Sequence, residues 1–194
     1  KFAHDPMETA VEVHSAWGTF EWIVRDAFEK NYRVGIVGNS DGHKGRPGAC
    51  YPGASFFGSY GGLTCFLAER LDRDAIFESM RRRRHYATTG NQALLDVSVT
   101  TATPAEVFLR DPAAGPAKSE KAQRLLMGDI ARVTDDGVEL AIEVIGSAPI
   151  ERLDVFDGPD LLETVRPYGT GDLGRRVRLV YEGAEYRGRA RTTT

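Results

Sequence analysis

The 194-residue sequence predicts an α/β domain over residues 1–92, followed by an all-β antiparallel sandwich over residues 93–194. In the first half, strand-like runs alternate with stretches of helical periodicity, a pattern typical of strands joined by helices. The second half contains only short alternating runs, separated by clusters of Gly, Pro and Asp. All four histidines and both cysteines precede residue 91, so chemistry that needs imidazole is expected in the first domain.

The first domain opens with a predicted strand, helix and strand that together have the size of a βαβ unit. Residues 10–15 alternate between apolar and polar side chains, as expected of a strand. Apolar residues then recur at helical spacing over residues 20–28, with Thr19 as the predicted N-cap. The apolar run at residues 33–38 has the composition of a strand that is buried on both faces.

The remaining predicted elements are shorter or less regular. A third strand is predicted at residues 63–67, and a helix is predicted from Asp72 or Asp74 to about Arg84. Residues 111–125 are small, polar and contain proline, which predicts a long loop or a mobile insertion. The predicted strands of the sandwich are residues 93–100, 138–144, 150–156 and 177–181.

Composition and charge argue against several classes of function. The net charge is −3, and no apolar run approaches the ~18–20 residues of a membrane helix. We therefore expect no membrane association and no nucleic-acid partner. The basic run at residues 81–84 is interpreted as the cationic last turn of a helix. The sequence starts at Lys1 without Met or a leader segment, which suggests the cut end of a longer protein and leaves cytoplasm and periplasm open.

The stretch from Asn39 to Gly48 follows the second strand directly and is the richest in chemistry-bearing side chains. In parallel sheets, ligands gather at the carboxyl ends of strands. Asp41 and His43 are two residues apart, so on an extended backbone they offer a carboxylate and an imidazole to one divalent metal ion. Lys44 and Arg46 are candidates for binding an anionic substrate. The alternative interpretation is a polar turn without a function.

A second pair repeats this arrangement at the end of the first strand. Glu12 and His14 are also a carboxylate and an imidazole two residues apart, followed by a turn that contains glycine. Neighbouring parallel strands lie about 4.8 Å apart, so the two pairs could share one site for Zn, Mn or Fe. The alternative is that Glu12 and His14 form the solvated face of an edge strand. His4 is a third candidate ligand, with a surface histidine as its alternative.

Several short segments of the first domain occur in an order and spacing that are found in a known family. They are VEV and SAWGTFE (residues 11–13 and 15–21), GNSDGHKGRPG (38–48), GGLT (61–64), AIF (75–77) and YATTG (86–90). Together they resemble the PHP superfamily (polymerase and histidinol phosphatase), and within it the bacterial proteins related to carbaryl-type metallohydrolases. The resemblance covers about residues 1–95.

This resemblance implies a fold and an activity. PHP domains are distorted (β/α)7 barrels that bind two or three metal ions at the strand ends and mainly hydrolyse phosphoesters. The first domain would then be the C-terminal part of such a barrel. Asp41 and His43 match the last Asp-x-His ligand pair of the family and would be catalytic. The expected function is metal-dependent hydrolysis of a small ester or phosphoester by metal-activated water.

One departure from the family keeps a second hypothesis open. PHP proteins carry an early His-x-His or His-x-Asp pair, and this sequence contains none upstream of Glu12. The missing ligands would come from the N-terminal part of the same protein or from another subunit. Without them, the chain is expected to be a non-catalytic binding or structural module, or an inactive fragment of a larger metallohydrolase.

Overall fold

A computed structural model describes residues 7–43, 45, 60–134 and 137–174 of the chain. The chain divides into two compact units, Lys1–Ser147 and Ala148–Thr194. The predicted boundary between residues 92 and 93 lies within the first unit, and the assignment of two domains there stays a prediction. In the part of the chain that is described, every helix is too short or too polar to cross a membrane.

The first sheet of unit 1 contains the predicted strand–helix–strand unit. It consists of β1 (Ala10–Ser15), β2 (Gly18–Thr19) and β3 (Gly35–Gly38), with β1 in the centre. β1 and β3 run parallel and are connected through helix α1 (Glu21–Glu29). The helix buries Ala27 on its apolar side, as the helical spacing of its apolar residues requires.

The next two strands form a separate antiparallel pair. They are β4 (Leu63–Phe66) and β5 (His85–Thr88), and helix α2 (Arg73–Arg81) connects them. The strand and the helix that were predicted in this region are therefore present. Asp72 is the N-cap of α2, because its side chain accepts a hydrogen bond from the backbone N–H of Ala75 at 2.8 Å.

His85 fixes β5 beside β3. The residue is 3% exposed, and its Nδ1 donates a hydrogen bond to the carbonyl oxygen of Ile36 at 3.0 Å. The ring also lies edge-on to Phe66, with centroids 5.6 Å apart. A Cβ atom at Gly35 would lie 2.5 Å from the ring carbon Cε1, so the strand needs glycine at this position. This histidine is therefore part of the packing between the two strands.

The prediction of part of a (β/α)7 barrel is wrong. The described residues contain two α-helices and eleven strands. The strands form several small sheets. A barrel of this kind needs successive parallel strands. In the described sheets only β1 and β3 are parallel, and the register from Leu63–Thr88 to Phe66–His85 makes β4 and β5 antiparallel. The sequence patterns identified the elements but not their directions.

The antiparallel sheet of unit 1 is built on one long strand. Its strands are β6 (Leu94–Phe108), β7 (Ser119–Leu126), β8 (Ile130–Arg132) and β9 (Val138–Ile145). β7 pairs with β6, and β8 and β9 pair with different parts of β6. The buried core of the sheet consists of Ala105, Val107 and Leu125. This is the antiparallel pairing that the alternating pattern of the second half predicts.

The prediction of a loop throughout residues 111–125 is wrong. Residues 119–126 form β7, although six of the first seven are polar or small. Because this strand exposes most of its side chains, its polar residues do not disturb the core. Pairing with β6 keeps it in place, from Ser98↔Leu126 to Phe108↔Ser119.

The arginines at the end of α2 hold the turn between β7 and β8. Arg84 and Arg82 lie 3.4 Å and 3.9 Å from the carboxylate of Asp129, whose side chain is 8% exposed. Arg83 is buried, and its Nε donates to the carbonyl oxygen of Gly128 at 3.1 Å. The basic run therefore makes intramolecular contacts in the folded chain.

Tyr86 links β5 to the start of the long strand β6. Its hydroxyl donates to the carbonyl oxygen of Ala93 at 2.8 Å and accepts from the N–H of Leu95 at 3.2 Å. Burial raises the pKa of Tyr86 above its ordinary value of 10.0, and the neighbouring Cys65 thiol acts in the same direction. These two hydrogen bonds join β5 to residues 93 and 95, across the predicted boundary between residues 92 and 93.

Unit 2 contains one described hairpin. β10 (Leu153–Asp157) and β11 (Asp160–Val165) pair antiparallel around a tight turn, and Gly158 in that turn has φ +56°. β10 begins three residues later than the predicted strand at residues 150–156. The predicted strand at residues 177–181 lies outside the described residues.

The cap of α2 gives a pH-dependent prediction. Hydrogen bonds from the N–H of Ala75 and from Arg70 lower the pKa of Asp72 below 3.8. Because the pKa is lower in the folded state, the charged cap stabilises the fold fully above pH 3.8. This stabilisation is lost as the pH falls through the folded-state pKa. The thermal midpoints of the parent and of Asp72→Asn should therefore differ at neutral pH and converge as the pH falls below the folded-state pKa of Asp72.

The measurement is thermal unfolding by circular dichroism between about pH 2.5 and pH 7. Asp72→Ser also keeps a capping oxygen without the charge, so its curve should follow that of Asp72→Asn. A constant difference between parent and variants across the whole range would contradict the assignment.

Candidate functional site

The candidate site lies where β1 and β3 end side by side. Because the two strands are parallel, both carboxyl ends reach the same edge of the sheet. Glu12 is opposite Val37, and His14 is opposite Gly38, with a register shift between the two pairs. The backbone continues the contact beyond the strands, since the N–H of Asn39 donates to the carbonyl oxygen of His14 at 3.0 Å.

Glu12 is held by a hydrogen bond from the neighbouring strand end. Asn39 donates from Nδ2 to Oε2 of Glu12 at 2.7 Å. Asn39 is itself close to β4, because its Oδ1 lies 3.4 Å from the hydroxyl of Thr64. That hydroxyl also donates to the carbonyl oxygen of Gly38 at 2.8 Å. Three strands thus meet around the half-buried carboxylate.

His14 is held by the residue that the sequence assigned to a helix cap. Thr19 lies in β2 opposite His14, and its Oγ1 is 2.6 Å from Nδ1 of the imidazole. The prediction of Thr19 as the N-cap of α1 is wrong, because Phe20 occupies that position and makes no side-chain cap bond. With Nδ1 as the donor to Thr19, Nε2 carries the lone pair that a metal ion requires.

Asp41 and His43 lie on the loop after β3, and Trp17 contacts both. The indole Nε1 of Trp17 donates to the carbonyl oxygen of Asp41 at 3.4 Å. The Trp17 and His43 rings meet edge-on, with centroids 5.6 Å apart. Asp41 has φ +48°, the left-handed conformation that aspartate tolerates better than most residues. The loop is joined to the turn after β1 by the N–H of Ala16, which donates to the Ser40 carbonyl oxygen at 3.1 Å.

The structure therefore gives a definite place to four of the seven predicted site residues. Glu12 and His14 are half-buried at the end of β1, and Asp41 and His43 are exposed on the adjacent loop. The other three candidates lie outside the described residues: His4, Lys44 and Arg46.

The donor chemistry of the two pairs suits a divalent transition metal, but the set is incomplete. Carboxylate oxygen and imidazole nitrogen are ligands of Zn, Mn and Fe. Across residues 7–43, 45, 60–134 and 137–174, no three His, Cys, Asp or Glu side chains come together as a possible metal site. Catalytic zinc sites use three protein ligands. The described part of the chain thus offers pairs of ligands and not a closed coordination shell.

Sequence reasoning missed the three residues that hold the candidate ligands. Asn39 belongs to the motif after the second predicted strand, but in that motif only Asp41 and His43 were predicted as ligands. Thr19 has the residue type of a cap, and its pairing with His14 depends on the reversal of the chain between β1 and β2. Trp17 lies in the turn between β1 and β2. The only sign in the sequence that it contacts the site was the presence of an aromatic residue in a predicted turn.

Comparison with known proteins gives relatives without a stated activity. No protein-family model matches the chain, and no solved structure matches it. The chain is 25% identical over 193 residues to an uncharacterized protein of Chlamydia trachomatis serovar D. It has the same identity over 193 residues to an uncharacterized protein of Chlamydia muridarum. Each match covers 86% of this chain, which spans about a quarter (27%) of the length of these curated relatives.

Proposed function

We propose that this chain carries part of a metal-dependent hydrolase site of the PHP type, which acts on a small phosphoester or a similar ester. The observation that supports the proposal is the meeting of Glu12, His14 and the Asp41–His43 loop at one edge of a parallel strand pair. Each of the two pairs offers a carboxylate and an imidazole near a strand end, and these donor types are typical of divalent transition metals.

In this proposal each candidate residue has one role. Asp41 and His43 are the first ligands, followed by Glu12 and His14, with His4 as a further ligand. Lys44 and Arg46 bind the anionic part of the substrate. When bound, the metal ion would lower the pKa of a water molecule and stabilise developing negative charge. The protein side chains position the ion and the substrate.

The remaining ligands would come from outside this chain, either from another part of a longer protein or from another subunit. Two observations support this part of the proposal. Among the described residues, which exclude His4, no three candidate ligands come together, and the chain covers only 27% of the length of its relatives. The same incompleteness favours the second candidate function, a non-catalytic binding or structural module, which predicts no metal in the purified chain.

The deciding experiment is elemental analysis of the purified chain beside the Asp41→Ala/His43→Ala double variant. We expect near-stoichiometric Zn, Mn or Fe in the parent and its loss in the double variant, because both members of the ligand pair are removed. Asp26→Ala is the control, since this exposed carboxylate pairs with Lys30 on α1 and should leave metal content unchanged. A parent that stays empty after incubation with Mn²⁺ or Zn²⁺ would exclude a metal site formed by this chain alone, and the binding module or the inactive fragment would then be the better hypothesis.

A further inference from the structure

Asn39 connects three strands at the edge of the candidate site. Its Nδ2 donates to Glu12 on β1 at 2.7 Å, and its Oδ1 lies 3.4 Å from the hydroxyl of Thr64 on β4. Its backbone is fixed as well: its N–H donates to the His14 carbonyl oxygen at 3.0 Å, and its carbonyl oxygen accepts from the N–H of Gly62 at 2.8 Å. The backbone of Asn39 is therefore fixed on both sides, and its side-chain amide is placed within hydrogen-bond distance of the Glu12 carboxylate.

We propose that Asn39 is a positioning residue, which orients the Glu12 carboxylate for a divalent cation at the ends of β1 and β3. This role rests on the proposed function, since it requires Glu12 to act as a ligand. The hydrogen bond engages Oε2, and in this proposal Oε1 is the oxygen that binds the cation. Polar partners of this kind fix the orientation of a ligand, and their loss lowers metal affinity by about 10–100-fold.

A merely structural role for this hydrogen bond makes a different prediction. The Asn39 side chain is exposed, so its replacement removes no core packing and should leave the fold intact. If Asn39 served only to join β3 to β1, any effect on metal binding would be the same with or without the Glu12 carboxylate. If Asn39 acts through Glu12, its effect disappears once that carboxylate is removed.

The test measures Mn²⁺ affinity of the full chain from the electron paramagnetic resonance signal of free Mn²⁺. We expect Asn39→Ala to bind about tenfold more weakly than the parent, and Glu12→Ala to lose at least as much. The Glu12→Ala/Asn39→Ala double variant should bind no more weakly than Glu12→Ala alone. Asn91→Ala is the matched control, because this exposed asparagine lies after β5 and should bind like the parent.

Each other outcome overturns a defined part of the proposal. A parent that binds Mn²⁺ while Asn39→Ala binds it equally well overturns the positioning role and leaves the metal site standing. A tenfold loss that persists without Glu12 also overturns the role. A parent that binds no Mn²⁺ overturns the metal site together with the role. Should Asn39→Ala fail to fold, Asn39→Leu removes the donor at similar side-chain volume and carries the same expectation.

Discussion

Replacing Gly128 by alanine should destabilise the protein by more than about 3 kcal/mol. This glycine lies in the turn between β7 and β8 with φ +85°, a conformation that costs an L-residue about 1–2 kcal/mol. The added Cβ would also overlap the backbone carbonyl oxygens of Arg82 and Arg83 at the end of α2. Because those are backbone atoms, the helix end and the turn would have to separate.

Chemical denaturation of the parent and Gly128→Ala, followed by circular dichroism, measures this loss. Gly137→Ala is the matched control, since a Cβ there has open space within 4 Å. It should change the free energy of unfolding by less than about 1 kcal/mol. If the two variants were equally stable, the close approach of the turn to α2 would be wrong.

The second large effect is expected at Asp129, one residue further along the same turn. Its carboxylate accepts from the N–H of Leu126 at 2.8 Å and lies near the guanidinium groups of Arg84 and Arg82. Asp129→Ala would leave two partly buried cations without this partner and one N–H without its acceptor. Breaking a fully buried pair costs about 3–5 kcal/mol, and the partial exposure of the arginines reduces our expectation to about 2 kcal/mol.

An exposed ion pair provides the comparison for Asp129→Ala. Asp26 and Lys30 lie 3.9 Å apart on α1, with side chains that are 53% and 61% exposed. Asp26→Ala should therefore change the free energy of unfolding by no more than about 0.5 kcal/mol. Similar losses in both variants would mean that Asp129 contributes as an ordinary surface charge.

Local patterns in the sequence predicted the elements of the first half well. The strand at β1, the helices α1 and α2 and the apolar strand β3 all lie where periodicity placed them. The periodicity and residue types of a short segment are enough to predict such elements. The direction in which β4 pairs with β5 depends on contacts between distant residues, and this is why the barrel was wrong.

The polar strand β7 and the contacts of the candidate site show the same limit. Residues 119–126 have a composition common in loops, and only the partner strand β6 makes them extended. The hydrogen bond between Asn39 and Glu12 spans 27 residues and exists because β1 and β3 pair in one register. The sequence indicated which residues could bind a metal ion, whereas the residues that orient them follow from strand pairing.

The contact between α2 and the β7–β8 turn also determines what the smallest stable piece of this chain can be. A fragment that ended at residue 92 would keep Arg82, Arg83 and Arg84 but lose Gly128 and Asp129. It would also lose the backbone partners of the Tyr86 hydroxyl. The part that contains α1, α2 and β1–β5 and the sheet of β6–β9 are therefore expected to unfold as one cooperative unit. A substitution that destabilises the β7–β8 turn is then expected to destabilise the strand ends that carry Glu12 and Asn39 as well.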